Sequence, residues 1–203
     1  MNEETPKVSA DDLVQRNEIY YKKFTDVPFT GAVEEYYENG QKNFKKTYKD
    51  GVWDGVWKIY HKNGQLWKKA TGKNGRIDGV WEGYDVNGQL RFLETWKNGK
   101  KDGVWEGYDV NGQLRAKGTY KDGKQDGVEE LYSGDGQLRT KETFKNGEYD
   151  GVWEEYNDNG QLWEKGTWKN DKREGLWIRY HENGQVSKRE TWKNGNFIKE
   201  EKF

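Results

Sequence analysis

Apolar and polar side chains alternate over short stretches of this chain, and glycine-rich turns separate these stretches. Residues 151–156 read GVWEEY and residues 162–169 read LWEKGTWK. Alternation with a period of about two residues is typical of strands that cover one face of a sheet. No stretch keeps the 3.6-residue apolar spacing for the length that a helix needs. The pattern therefore predicts an all-β protein of short strands.

The same pattern returns every 24 residues. With Gly31 as position 1, glycine recurs at position 1 of all seven repeats, which start at residues 31, 55, 79, 103, 127, 151 and 175. Position 6 is tyrosine and position 10 is glycine in all seven, while position 18 is aromatic in six. A fixed period of this length indicates units that pack on their neighbours. The predicted fold is an elongated single-layer antiparallel β-meander made of seven β-hairpin repeats with capping strands.

An Asn-Gly or Asp-Gly pair at positions 9 and 10 predicts a two-residue type I′ turn inside each repeat. Such a turn places position 4 opposite position 15. The expected cross-strand pairs are Glu34–Lys45, Glu106–Lys117, Glu130–Lys141 and Glu154–Lys165. One face of the sheet then carries positions 3, 12 and 18, and the other carries valine at position 2, tyrosine at position 6 and the Glu–Lys pairs.

The ends of the chain depart from the repeat. We expect a disordered tail over residues 1–12 and an N-terminal capping half-repeat over residues 13–30. In that half-repeat Phe24 takes the place of the ring at position 18, and Pro28 protects an edge. The seven repeats fill residues 31–198, and residues 199–203 are expected to form a C-terminal cap strand.

Composition narrows the classes of function. Only 31% of the chain is hydrophobic and 35% is charged, but 15% is aromatic, so rings supply most of the apolar area. The net charge is −1 without a basic stripe, so nucleic acid is not an expected partner. Cysteine is absent, and no apolar run approaches the roughly 20 residues of a membrane helix. Membrane contact is not expected. We expect a cytoplasmic location from the sequence as it stands, with a periplasmic or cell-envelope location as the alternative if a signal peptide has been cleaved from it.

No set of residues indicates catalysis. The carboxylates recur at fixed repeat positions opposite lysines, as solvated charge pairs do, instead of converging in a cleft. His61 and His181 occupy position 7 of the second and seventh repeats, too far apart along the array to share a metal ion. We expect a protein that is not an enzyme and that holds no metal and no cofactor.

Binding chemistry is concentrated at positions 6 and 13. Position 13 alternates between tryptophan and arginine, and these two types and tyrosine are enriched at the energetic centres of protein interfaces. The rings at positions 3 and 18 are interpreted as packing between repeats. The predicted partner-binding residues are Tyr60, Tyr84, Tyr108, Tyr132, Tyr156, Trp67, Arg91, Arg115, Arg139 and Trp163, with Tyr36 and Tyr180 in the same tyrosine row.

Residues 118–132, GTYKDGKQDGVEELY, and residues 166–180, GTWKNDKREGLWIRY, resemble membrane-occupation-and-recognition-nexus (MORN) repeats. The pairing of an NGQL segment with YKDGKxDG is similar to the bacterial MORN-repeat variant, in proteins labelled YwqK-type antitoxins. The resemblance covers residues 13–203. Gly72, Glu129, Asp171 and Lys42 depart from the pattern.

The resemblance implies a non-catalytic scaffold for protein–protein interaction, and within that class an antitoxin or immunity protein that neutralises a partner toxin. The alternative is a self-assembling or cell-envelope scaffold that binds lipid or glycan. The sequence leaves the oligomeric state open.

Overall fold

The computed structural model describes residues 7–203, and its regular secondary structure is almost wholly β-strand. Within those residues the one exception is a 3-10 turn at Ala10–Asp12. The predicted all-β class and the antiparallel repeat of hairpins are confirmed. The chain divides into two compact units, Met1–Lys100 and Lys101–Phe203.

The first unit is a meander of hairpins with an added hairpin at its start. Its strands are β1 (Lys7–Val8), β2 (Leu13–Arg16), β3 (Ile19–Lys22), β4 (Gly31–Tyr36), β5 (Lys42–Lys49), β6 (Val52–Tyr60), β7 (Leu66–Lys73), β8 (Arg76–Ile77), β9 (Gly79–Tyr84) and β10 (Leu90–Lys97). Strands β4 to β7, β9 and β10 pair antiparallel in sequence order. The short β8 pairs with the end of β7, and β2 pairs only with β3.

The second unit continues the same hairpin pattern. Its strands are β11 (Lys100–Tyr108), β12 (Leu114–Lys121), β13 (Lys124–Gln125), β14 (Gly127–Tyr132), β15 (Leu138–Lys145), β16 (Glu148–Tyr156), β17 (Leu162–Lys169), β18 (Lys172–Tyr180), β19 (Val186–Lys193) and β20 (Asn196–Lys202). Consecutive long strands pair antiparallel, and the short β13 pairs with the end of β12.

The turn inside each repeat differs from the prediction. In the fourth repeat the amide of Asp109 donates to the carbonyl of Gln113 at 2.9 Å, and Gly112 alone has a positive φ, of 78°. The preceding Asn111 keeps a negative φ, so the predicted type I′ turn at Asn-Gly is wrong. The connection is a three-residue loop that places glycine in the left-handed region.

The type I′ geometry occurs instead in the turn between repeats. Asn98 and Gly99 have φ values of 50° and 81°, so both central residues are left-handed, as this turn requires. In the sixth repeat Asn170 and Asp171 keep the same geometry, with φ values of 48° and 60°, although Asp171 replaces the glycine. Asparagine and aspartate tolerate this region better than other residues with a side chain.

The register confirms most of the predicted pairing and corrects one position. Glu106 lies opposite Lys117 as expected, but Tyr108 lies opposite Leu114 because Arg115 forms a bulge. Position 12 therefore shares a face with the tyrosine at position 6, and its predicted place among the rings is wrong. Lys42, at position 12 of the first repeat, shows this directly because its Nζ lies 3.1 Å from Glu34 at position 4.

Two faces of the sheet follow from this register. We call the face with positions 2, 4, 6, 12, 15 and 17 the tyrosine face, and the face with positions 1, 3, 5, 14, 16 and 18 the ring face. Rings pack on the ring face as predicted: Trp81 lies 5.7 Å from Trp96, and Trp168 lies 5.4 Å from Trp177, between ring centroids. Where Gly72 lacks the ring of position 18, the ring of Trp53 covers the glycine.

The N-terminal segment is ordered where a disordered tail was predicted. Strand β1 pairs parallel with β4, and Ser9 donates from its Oγ to Glu35 at 3.0 Å. Residues 1–6 of that predicted tail lie outside the described residues. Phe24 is fully exposed and does not replace the ring of position 18. The buried ring is Phe29, which packs with Val33 and Tyr48.

The C-terminal strand begins earlier than predicted. Strand β20 starts at Asn196, not at residue 199, and pairs with β19 along its length. All seven of its residues are exposed, and four of them are lysine or glutamate. Charges on an outer strand disfavour pairing with another chain.

Candidate binding surface

The tyrosine face exposes a band of aliphatic side chains at position 2. In the second unit the exposed members are Val104, Val128, Val152 and Leu176, with exposed fractions between 40% and 50%. In the first unit Val80 is 38% exposed. Within its hairpin each lies opposite the threonine of position 17, as Val104 does opposite Thr119. A threonine is too short to cover a neighbouring valine, so the band remains open to solvent. The sequence placed these valines on this face without identifying them as a binding feature.

A row of alternating charges runs beside this band. In the second unit position 15 lies opposite position 4 in both neighbouring strands, since Lys117 faces Glu106 on one side and Glu130 on the other. The row continues through Lys141, Glu154 and Lys165. The Nζ of Lys117 lies 2.8 Å from Glu130 of the following repeat. Each such pair contributes roughly 0.2–1 kcal/mol because it is exposed to water.

In the first unit the charges at positions 4 and 15 follow a different order. There the residues opposite one another are Glu34, Lys45, Lys58, Lys69 and Glu82, so three lysines are adjacent. Lys45 and Lys69 each have an ion pair with the glutamate at their end of the row, at 3.2 Å and 3.1 Å. Like charges opposite each other are unfavourable in a sheet. The centre of this row therefore carries an excess of positive charge at Lys58.

The position-6 tyrosines bond to the charge row. In five repeats the hydroxyl donates to the glutamate two residues earlier, in the pairs Tyr36–Glu34, Tyr84–Glu82, Tyr108–Glu106, Tyr132–Glu130 and Tyr156–Glu154. Tyr60 and Tyr180 follow Lys58 and Ile178 instead and have no glutamate at position 4. Hydrogen bonds to a carboxylate are stronger than neutral ones, so they restrict the orientation of these five rings.

These bonds shift the ionisation of the tyrosines. The hydrogen bond to Glu106, together with burial, raises the pKa of Tyr108 to about 12. Burial and the bond to a glutamate also raise the pKa of Tyr84 and of Tyr156 to about 12. The donated bonds from Lys117 and Tyr132 lower the pKa of Glu130. Tyr84, Tyr108 and Tyr156 are therefore neutral, and Glu130 is charged, over the whole physiological range.

We expect the Glu106→Gln variant to bring the pKa of Tyr108 from about 12 down towards its ordinary value of 10. A neutral amide removes the charge that opposes ionisation of the hydroxyl. The measurement is an NMR titration of ¹³Cζ-labelled tyrosine. The pKa of Tyr84 and of Tyr156 is the internal control and should not change. A pKa for Tyr108 that is the same in both proteins would contradict the assigned bond.

The sign of the accompanying stability effect follows from the raised pKa. A tyrosine whose pKa is higher in the folded protein than in the unfolded chain stabilises the fold below the unfolded value of 10. That contribution falls as the pH rises from about 10 to about 12.

The predicted position-13 row lies apart from the tyrosines. The guanidinium of Arg179, on the ring face, lies 4.7 Å above the ring of Trp163, and Trp67 lies 5.6 Å from the ring of His61 in the turn. Arg139 forms an ion pair with Asp158 of the next turn. Within residues 7–203 no hydrogen bond, ion pair or ring contact joins a position-13 side chain to a position-6 tyrosine.

The bulge at position 13 explains this separation. A bulged residue leaves the strict alternation of faces and is aimed differently from its neighbours. The Nη1 of Arg91 is buried without a hydrogen-bond partner, and the Nη1 of Arg115 packs against Gly134 in the next turn. The structure therefore does not bring the two rows together, and their role in binding a partner stays a prediction. The tyrosines form one surface, and position 13 lines the turns and the margin of the ring face.

In residues 7–203 no group of three or more histidine, aspartate and glutamate side chains could hold a metal ion. In that same part of the chain no helix has the length and apolar character needed to cross a membrane.

Solved structures similar to the chain include the GtfA/B complex bound to UDP and GlcNAc, with 16% identity and a TM-score of 0.20 over 69% of this chain. The TcdB2–TccC3 structure matches 88% of this chain with 16% identity and a TM-score of 0.22. The chain spans 24% and 12% of the lengths of those two chains. None of the curated proteins compared with it matches.

The family described as MORN repeat variant matches seven segments. These are residues 29–50, 53–74, 77–98, 101–122, 125–146, 149–170 and 173–194. Each match begins two residues before position 1 and ends at the first central residue of the type I′ turn, so the family unit has the same register as the structural repeat. The matches cover more than half of the chain, and this protein belongs to the MORN repeat variant family.

Proposed function

We propose that this protein is a non-catalytic repeat scaffold that binds a protein partner through its tyrosine face. The observation that carries the proposal is the band of exposed aliphatic side chains at position 2. Leu176 and Val152 are about half exposed although both lie in the middle of strands. Exposed apolar side chains in a row, beside polar groups, are typical of surfaces that bind other proteins.

The groups beside the band suit such an interface. In five repeats the tyrosine hydroxyl is already bonded to a glutamate, so these rings lose little side-chain freedom when a partner covers them. The Glu–Lys row gives a partner an alternating pattern of charge to match, which favours specificity and register over affinity. The ring face exposes less apolar surface to a partner, because its largest side chains already pack on each other. Trp177, for example, has an exposed fraction of 1%.

Specificity along the face comes from the repeats that differ. The second repeat places Lys58 between Lys45 and Lys69, whereas the second unit keeps alternating charges. A partner with an acidic side chain opposite Lys58 would gain an ion pair and relieve the repulsion between the lysines. The finer form of the proposal, supported by the resemblance of the repeats, is a partner toxin that the protein neutralises.

The test is capture of a stoichiometric protein partner from a lysate of the source organism, followed by measurement of its affinity for variants. We expect Val128→Lys with Val152→Lys to weaken binding at least tenfold, because two charges would replace the centre of the apolar band. Both side chains are at least 40% exposed, so the fold should accept lysine at either place.

The matched control is Val110→Lys, since Val110 is 69% exposed in a turn and lies off the tyrosine face. It should bind like the unmodified protein. The pair Arg115→Ala and Trp163→Ala tests the position-13 row, for which we expect a smaller loss. Equal binding by the Val128/Val152 variant and the control would refute the tyrosine-face interface. Recovery of the bait with itself alone, or with envelope material, would favour the scaffold alternative.

A further inference from the structure

The first unit contains a cleft beside its N-terminal hairpin. Its volume is about 570 Å³, within the usual range for small-molecule sites, and its lining includes Tyr20, Lys46, Tyr48, Trp53 and Arg76. The cleft forms where the tip of the hairpin β2–β3 meets the type I′ turns of the first two repeats. Because this hairpin occurs once in the chain, the cleft is not repeated along the array.

Lys46 differs in the sign of its charge from the other charged residues at position 16. Position 16 carries a charge in the odd-numbered repeats, as Lys46, Glu94, Glu142 and Glu190. The three glutamates each accept a hydrogen bond from a ring group: Trp96 donates to Glu94 at 3.1 Å, Tyr149 to Glu142 at 3.3 Å and Trp192 to Glu190 at 3.2 Å. Only the first repeat has a cation there.

The ammonium group of Lys46 has rings around it and no carboxylate partner among the residues that the structure describes. Its Nζ lies 5.4 Å from the centroid of Tyr48 and 5.0 Å from that of Trp53. No carboxylate of residues 7–203 forms an ion pair with it, and burial lowers its pKa. Attraction to two rings offsets part of the cost of removing a charge from water, but a half-buried charge without a partner remains unfavourable.

The lining supplies the rest of a site. Arg76 is a second cationic residue of the lining, with its aliphatic stem against Gly99 of the next turn. Asn17, Asn74 and Gln15 carry amide groups that can donate hydrogen bonds. Glu18 is the one acidic side chain in the lining, and it lies in the turn of the hairpin. The aromatic rings give a carbon skeleton a surface to pack on.

We propose that this cleft binds a small organic anion. Its acidic group, a phosphate or a carboxylate, pairs with Lys46 and Arg76, and its carbon body packs against the rings of Tyr48 and Trp53. This site is separate from the tyrosine face, since position 16 belongs to the ring face. Binding therefore adds to the proposed scaffold function and does not depend on it.

The experiment is calorimetric titration of the full chain with phenyl phosphate and with benzoate, which separate phosphate from carboxylate as the head group. Phenol is the uncharged comparison. We expect at least one anion to bind with a dissociation constant below 1 mM at low salt, and at least tenfold more tightly than phenol. The Lys46→Met variant should lose at least tenfold in affinity, because it keeps the bulk of the side chain and removes the charge.

Three variants make the test specific. Lys49→Met removes the same charge from an exposed position on the same strand and should bind like the unmodified protein. Arg76→Gln should weaken binding, and Glu18→Gln should strengthen it by removing repulsion. Methionine between two rings is well tolerated, so Lys46→Met should melt no lower than the unmodified protein without ligand. The proposal is overturned if neither anion binds at 10 mM, or if Lys46→Met binds as tightly as Lys49→Met.

Discussion

Trp177→Ala should lower the free energy of unfolding by about 3–5 kcal/mol, the range for removing a fully buried tryptophan. Trp177 is 1% exposed and is one of the largest fully buried side chains of the described residues. Its ring lies 5.3 Å from that of Trp153 and 5.4 Å from that of Trp168, and the guanidinium of Arg173 lies 4.0 Å from its centroid. A single layer of strands has few such contacts to replace it.

The cavity left by Trp177→Ala cannot close easily. Gly166 lies directly beneath the ring, so close that a Cβ there would fall 2.1 Å from the indole. Glycine has no side chain that could move into the vacated space. Trp153 and Trp168 are held in their own strands by backbone pairing. The loss should therefore lie in the upper part of the range.

Urea denaturation followed by circular dichroism measures this effect, and the melting temperature should fall by roughly 10 °C. The matched control is Leu176→Ala, the adjacent residue on the opposite face, which is 49% exposed and should cost less than about 1 kcal/mol. Trp177→Phe should recover part of the stability. If Trp177→Ala and Leu176→Ala had equal effects, the ring face would not be the main packed layer of the repeat.

The sequence predicted the repeat and its pairing because both depend on local signals. The spacing of Gly31 and its equivalents, the strand alternation and the Glu34–Lys45 type of pair need no knowledge of distant contacts. The sequence did not show that the type I′ turn lies between repeats and the three-residue loop within each repeat. Both turns contain an asparagine or aspartate before glycine, and the difference depends on how many residues close each loop.

The bulge at position 13 had the largest consequence for the candidate site. It returns the strands to register after a three-residue loop, and it moves Arg115 and Trp163 away from the tyrosine row. Nothing in the residue types at positions 12 to 14 indicates a bulge. Lys46 was also missed, although its charge contrasts with the glutamates at the same position of the third, fifth and seventh repeats. This difference in charge was the feature of the sequence from which Lys46 could have been identified.

Glu34→Gln should be the second most destabilising change, with a loss of about 2 kcal/mol at neutral pH. The side chain of Glu34 is 6% exposed. Its carboxylate has three partners, which are two lysine ammonium groups and one tyrosine hydroxyl. The Nζ of Lys42 lies at 3.1 Å, that of Lys45 at 3.2 Å, and the hydroxyl of Tyr36 donates at 2.8 Å. A glutamine keeps the shape but leaves two ammonium groups without a charge opposite them.

The acid dependence of stability gives an independent measure of the same interaction. Burial acts to raise the pKa of Glu34, but the bonds from Tyr36, Lys42 and Lys45 outweigh it and lower the pKa from 4.5 to about 2. A fall of that size corresponds to about 3 kcal/mol of stability at neutral pH. Because the folded pKa is the lower one, the contribution is complete above about 4.5 and disappears as the pH falls to about 2.

The unmodified protein and Glu34→Gln should therefore differ by about 2 kcal/mol at pH 7 and converge between pH 4.5 and pH 2. Urea denaturation at each pH gives the difference, and subtraction removes the titration of all other carboxylates. Glu38→Gln, which changes an exposed acid in the adjacent turn, should show no such convergence. The two lysines are about one-third exposed, so water replaces part of the lost attraction, and this is why the variant should lose less than the full linkage value. A difference that stayed constant with pH would mean that shape, and not the charge of Glu34, stabilises this end of the sheet.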